Sequence, residues 1–143
     1  MNYKLVDIGL LIFRIAVSFS LAFGHGLGKF QKFISGNEIK FMNFLGLGET
    51  FSYFLAMAAE FFCSLLIISG LLTRINSIFI IITMVVAAFV AHADDSFARK
   101  EKAILYMASY ILLFFTGPGK YSLQKLLDKK FEKLSGFQKF ILG

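Results

Sequence analysis

Four stretches of this 143-residue chain are apolar over lengths that suit a lipid bilayer better than water. They run from about Asp7 to Gly28, Phe51 to Leu72, Ile75 to Ala93 and Phe97 to Thr116. A helix rises 1.5 Å per residue, so about 20 apolar residues cross a hydrocarbon core. Four such segments nearly exhaust the chain and leave no room for a separate soluble domain. The fold expected is all-α: one integral membrane four-helix bundle with short loops. The fourth segment is apolar only from Ala103. Its start near Phe97 requires Arg99, Lys100 and Lys102 to snorkel towards the headgroups.

Between the first two spans, Ser35 and Glu38 have capping-box spacing, and Ile39, Met42 and Leu45 fall on one helical side. This pattern predicts one short interfacial helix. Thr73 and Arg74 read as a tight turn, with Asn76 or Ser77 capping the third span. Gly117-Pro118-Gly119 stops the fourth. Residues 120–143 mix lysines with Leu126, Phe131, Leu134, Phe137 and Phe140, a basic amphipathic tail for the membrane surface.

Charge gives the orientation. The net charge of +6 comes largely from tail lysines, which suit anionic lipid rather than nucleic acid after four spans. Lys4, Arg74 and six lysines from Lys120 onward share one side, eight cations in all. Lys29, Lys32, Lys40, Arg99, Lys100 and Lys102 share the other, six in all. The bias places both termini in the cytoplasm. The single cysteine, Cys63, excludes an intrachain disulfide and a redox pair, and its apolar surroundings make it a small buried hydrophobe.

An ionisable group near the bilayer centre costs about 2.5–3.5 kcal/mol, so those present have a partner or a task. They are Arg14, His25, Lys29, Glu60, His92 and Glu101. Helix rise places Arg14 and Glu60 within reach of one another, and the expectation is a structural Arg14–Glu60 ion pair joining spans one and two. Arg14, Ser18, His25 and Lys29 form one polar stripe, expected to face the interior. Glu60, His92 and Glu101 converge on its outer half as a ligand-binding pocket. Histidine, lysine and carboxylates can hydrogen-bond and protonate the carbonyls of a quinone ring, and 19 Phe and 5 Tyr supply flat apolar walls. Two histidines without a spacing motif do not specify a metal or haem site, so no metal and no resident cofactor is expected. Gly24 and Gly28 have the spacing of close helix contact.

These residues resemble the DoxX family from about Leu10 to Leu123. The likeness is carried by Arg14 with Gly24-His25-Gly26-Leu27-Gly28-Lys29, by Glu60 followed by LLIISGLLTR, by His92 with Glu101, and by GPGKYSL at Gly117–Leu123. Gln124 stands where the family often has an acidic residue. The resemblance implies a four-helix bundle in the bacterial cytoplasmic membrane. Relatives include a subunit of a thiosulfate:quinone oxidoreductase and a component of oxidative-stress defence. It implies a membrane subunit of a redox-linked complex, with partner subunits and a quinone as ligand or substrate, and little catalysis by the chain alone. The alternative is a non-catalytic scaffold or small-molecule binder whose buried charges only hold helices together.

Overall fold

The computed structural model describes residues 3–127, so most of the expected basic amphipathic tail, beyond Leu127, lies outside the described residues. Four long helices lie side by side: α1 (Tyr3–Ile34), α2 (Glu49–Ser69), α3 (Thr73–Ala91) and α4 (Phe97–Thr116). A single turn, α5 (Leu123–Leu126), follows. The first three are long and apolar enough to cross a membrane. The chain is an all-α, multi-pass membrane protein.

Burial runs inside out relative to a water-soluble bundle. Phe19, Ile12, Phe62, Phe79, Phe89 and Phe115 face outward, more than 40% exposed each. Ser18, Ser64, Thr73 and Ser77 are wholly buried. Small polar residues let helices approach closely in lipid, where the hydrophobic effect gives no net drive between them. The Tyr110 hydroxyl joins three helices, donating to Ser18 Oγ at 3.2 Å and lying 3.4 Å from Ser64 Oγ. Leu21, Ile67, Ile80, Met84 and Leu113 complete the core around it.

Arg14 closes one end of the bundle. It is 2% exposed, and its guanidinium donates to the carbonyls of Pro118 and, at 3.0 Å, Tyr121. The expected Arg14–Glu60 pair is therefore absent. Fifteen residues of α1 separate Arg14 from Lys29, about 22 Å along the axis, and it is Lys29 that reaches Glu60. Arg14 instead satisfies two carbonyls of the irregular segment that follows α4, which Gly117 ends at φ +71°. The same end holds the α2–α3 turn. Gly70 takes φ +76° and Leu72 φ +51°, and the Leu72 N–H donates to Gln124 Oε1 at 2.9 Å. A Cβ at Gly70 would lie 2.8 Å from Arg14 Nη1, so only glycine fits. Asn76 and Ser77 do not cap α3 as expected. The helix already begins at Thr73, which with Arg74 opens α3 rather than forming the turn, so Asn76 and Ser77 lie inside it and their side chains donate back to the carbonyls of Leu72 and Thr73.

The interfacial helix does not form. Gly36, at φ +69°, ends α1, and residues 37–43 are irregular. Ser35 caps no new helix: its hydroxyl donates to Lys32 O and accepts from Asn37 Nδ2. Side chains of the next helix hold this loop instead. Glu49 accepts from Phe41 N–H and Ser52 from Phe44 N–H, both at 3.0 Å.

Candidate functional site

Three helices change pitch at one level of the bundle. A π-helical turn occupies Ala22–Gly26 in α1, Ala58–Cys63 in α2 and Ala87–Ala91 at the end of α3. His25 lies in the first and Glu60 in the second, while His92 closes the third by donating its N–H to Ala87 O. Each π turn admits an extra residue and re-aims side chains, and such turns recur at functional sites. At this level Gly26 touches the α2 backbone. A Cβ there would stand 2.7 Å from Glu60 O, whereas Gly24 and Gly28 have open space. The close approach expected at Gly24 and Gly28 falls on Gly26 because the π turn rotates the helix between them.

That contact brings Lys29, one turn further along α1, to Glu60. Lys29 Nζ lies 2.5 Å from Glu60 Oε2. The carboxylate side chain is 8% exposed and the lysine 24%. The Tyr53 hydroxyl donates to Lys29 O at 3.2 Å and steadies the lysine's backbone. Charged hydrogen bonds of this kind are strong when water is scarce.

The ion pair stands in a wall between two cavities. One, of ≈ 230 Å³, is mostly apolar and lies between α2, α3 and the loop, lined by Phe41, Met42, Phe44, Leu55 and Ile82. The other, of ≈ 200 Å³, is of mixed lining, more polar than the first, and lies towards α4, with His25, Arg99, Lys102 and Tyr106 beside Leu21, Met84 and Ala103. Lys29, Glu60 and His92 line both. A third hollow, ≈ 350 Å³, opens between α1 and α4 past Ser20, Gly24 and His25. The His25 ring meets Tyr106 edge-on, and Tyr106 shares a 2.8 Å hydrogen bond with Ser20.

Of the residues expected to converge, His25, Lys29, Glu60 and His92 do so. Glu101 does not: it is exposed on the second turn of α4 and lines none of these three cavities. Arg99 and Lys102, expected only to snorkel, line the more polar cavity because they face α1 and α3. Asp95 was not foreseen. Its carboxylate lies 2.6 Å from His92 Nδ1 and 3.1 Å from Arg99 Nη1. The hydrogen bond with His92, aided by the Arg99 charge, holds the Asp95 carboxyl below its ordinary pKa. The spacings, three residues back to His92 and four on to Arg99, were readable as neighbours on a turn. Among the described residues, no three His, Cys, Asp or Glu side chains are grouped as metal ligands.

The inner membrane protein YqjF of Escherichia coli (strain K12) is 32% identical over 133 residues, which cover 89% of this chain and 98% of that protein. No solved structure matches. The DoxX family model matches residues 9–93, the segment that holds Arg14, His25, Lys29, Glu60 and His92. With more than half of its length matched, the chain belongs to the DoxX family.

Proposed function

We propose that this chain is a membrane subunit of a redox-linked complex and binds a quinone-type ligand beside the Lys29–Glu60 pair. The observation that carries the reading is the position of that pair, its carboxylate nearly buried, in a wall between an apolar cavity and one of more polar lining. An amphipathic ring needs both: flat apolar walls for its body and a few converging polar groups for its oxygens. Phe41, Met42 and Ile82 offer the first. Lys29, Glu60 and His92 offer the second, with His25 on the polar side. Glu101 has no part in it.

In this reading α4 is the fourth span. Its 20 residues extend about 30 Å, enough for the hydrocarbon core. The cation bias along the sequence then puts both termini in the cytoplasm, and the likeness to an inner membrane protein supports the bacterial cytoplasmic membrane. Lipid surrounds the chain and further subunits complete the complex. Lys29, Glu60 and His92 hold and orient the ligand, and electrons pass to partners rather than within this chain.

The test is ligand-dependent stabilisation of the purified protein in nanodiscs. A short-chain quinone at a hundred times its Kd should stabilise the wild type by about 2.7 kcal/mol. His25→Ala and Glu60→Gln should fold normally and lose most of that increment. Equal stabilisation of all three proteins, or none, contradicts the reading. The scaffold reading draws support from Arg14, a buried charge whose partners are backbone carbonyls. It requires the Lys29–Glu60 pair to be structural in the same way.

A further inference from the structure

Asp95 holds one edge of the His92 ring, and His92 lines both cavities. Its Oδ2 pairs with His92 Nδ1, its Oδ1 accepts from Arg99, and its N–H donates to His92 O at 3.1 Å. Lys100 ties the same corner by donating to Ala93 O. An ionised carboxylate is an acceptor only, so a neutral imidazole paired with it carries its proton on Nδ1. Nε2, on the opposite edge of the ring, is then a bare acceptor. The charged and titratable groups sharing these cavities with His92 are His25 and Lys29 from α1, Glu60 from α2, and Arg99, Lys102 and Tyr106 from α4. Lys29 is engaged by Glu60 Oε2 and Arg99 by Asp95. Glu60 Oε1 accepts from none of the described residues.

We propose that Asp95 is a positioning residue that fixes His92 as its Nδ1–H tautomer, so that His92 Nε2 and Glu60 Oε1 select the hydroxyl-bearing, reduced form of a quinone-type ring. The ligand's identity rests on the function proposed above; the tautomer does not. A hydroquinone donates two O–H bonds, whereas a quinone offers only acceptors. Setting acceptor against acceptor in a low-dielectric site leaves both unsatisfied, the arrangement by which polar sites reject an analogue that lacks a donor. His92 is half exposed, so the discrimination expected is about tenfold rather than the far larger ratios of sealed sites.

The test has two parts. ¹⁵N NMR of histidine-labelled protein in nanodiscs at pH 8, without ligand, should show His92 protonated on Nδ1. Asp95→Ala should convert it to a mixture or to the Nε2–H form, and Asp95→Asn, which keeps an acceptor oxygen, should restore the Nδ1–H form in part. A wild-type His92 protonated on Nε2, or an unchanged spectrum in Asp95→Ala, overturns the positioning role. Duroquinol, kept anaerobic, should bind about tenfold tighter than duroquinone, and Asp95→Ala should bring the ratio towards one. Equal affinities, or a preference for duroquinone, overturn the selection. If neither binds, the proposed function and the selection both fail, while the NMR result still decides the role of Asp95.

Discussion

Gly26 of α1 lies against the Glu60 backbone of α2, so closely that a Cβ would approach within 2.7 Å of Glu60 O and 2.8 Å of Phe61 Cα. The atoms it would meet are backbone and cannot swing away. Lys29 and Glu60 pair because this crossing sets the height of one helix against the other. Gly26→Ala should therefore destabilise the protein by about 1–3 kcal/mol, the usual cost of overpacking. It should also weaken ligand binding. Gly24→Ala and Gly28→Ala, with open space around them, should be close to neutral. Reversible unfolding in detergent checks all three.

The Lys29–Glu60 pair makes a second prediction. Lys29→Met leaves a nearly buried carboxylate without its cation. A fully buried pair broken in this way costs about 3–5 kcal/mol, and the partial exposure of Lys29 lowers the expectation to about 2 kcal/mol. The double variant Lys29→Met with Glu60→Met removes both charges and should recover most of the loss. A double-mutant cycle of unfolding free energies measures this. Additive losses would mean that the two groups do not act on each other.

Arg14 holds the segment after α4 to the bundle through Pro118 and Tyr121. Arg14→Leu should free that segment and cost about 2–4 kcal/mol, since two carbonyls lose a charged donor. Trypsin should then cut faster at Lys120 and Lys125. Arg14→Lys, a point charge without the guanidinium fork, should give intermediate rates.

The Asp95 carboxyl titrates below its ordinary value in the folded protein, chiefly through its bond with His92. A depressed carboxylate contributes stability that is present above its unfolded pKa, about 3.9, and is lost as pH falls through the folded pKa. Between pH 4 and pH 2 the wild type should lose more Tm than Asp95→Asn. The side chain is open to water, so the difference should be small.

Three of the four expected spans were legible because lipid demands long apolar runs, which sequence displays directly. That His25, Lys29, Glu60 and His92 lie together was legible for a related reason: charge inside such runs is rare. Pairing was not. Arg14 and Lys29 both stood within apparent reach of Glu60, and the choice between them depends on α1 continuing past Gly28 and on where Gly26 crosses α2. The three π turns left no trace in composition, and they displace the 3.6-residue count that pointed to Gly24 and Gly28. The loop failed as a helix because Gly36 takes φ +69° and because Glu49 and Ser52 bind its backbone from the next helix. Gln124 looked like a departure from an acidic position, yet its carbonyl oxygen serves the Leu72 N–H as a carboxylate oxygen would.

The central claim is that a quinone-type ring sits between the loop and α3 against the Lys29–Glu60 pair. Photolabelling with an azidoquinone in nanodiscs, followed by peptide mass spectrometry, tests it most directly. The account predicts label concentrated on Phe41–Phe44 and on α3 near Ile82 and Val86, competed by excess quinone and lost in Glu60→Gln. Label spread over lipid-facing residues such as Phe19, Phe79 and Phe115, without competition, would contradict it.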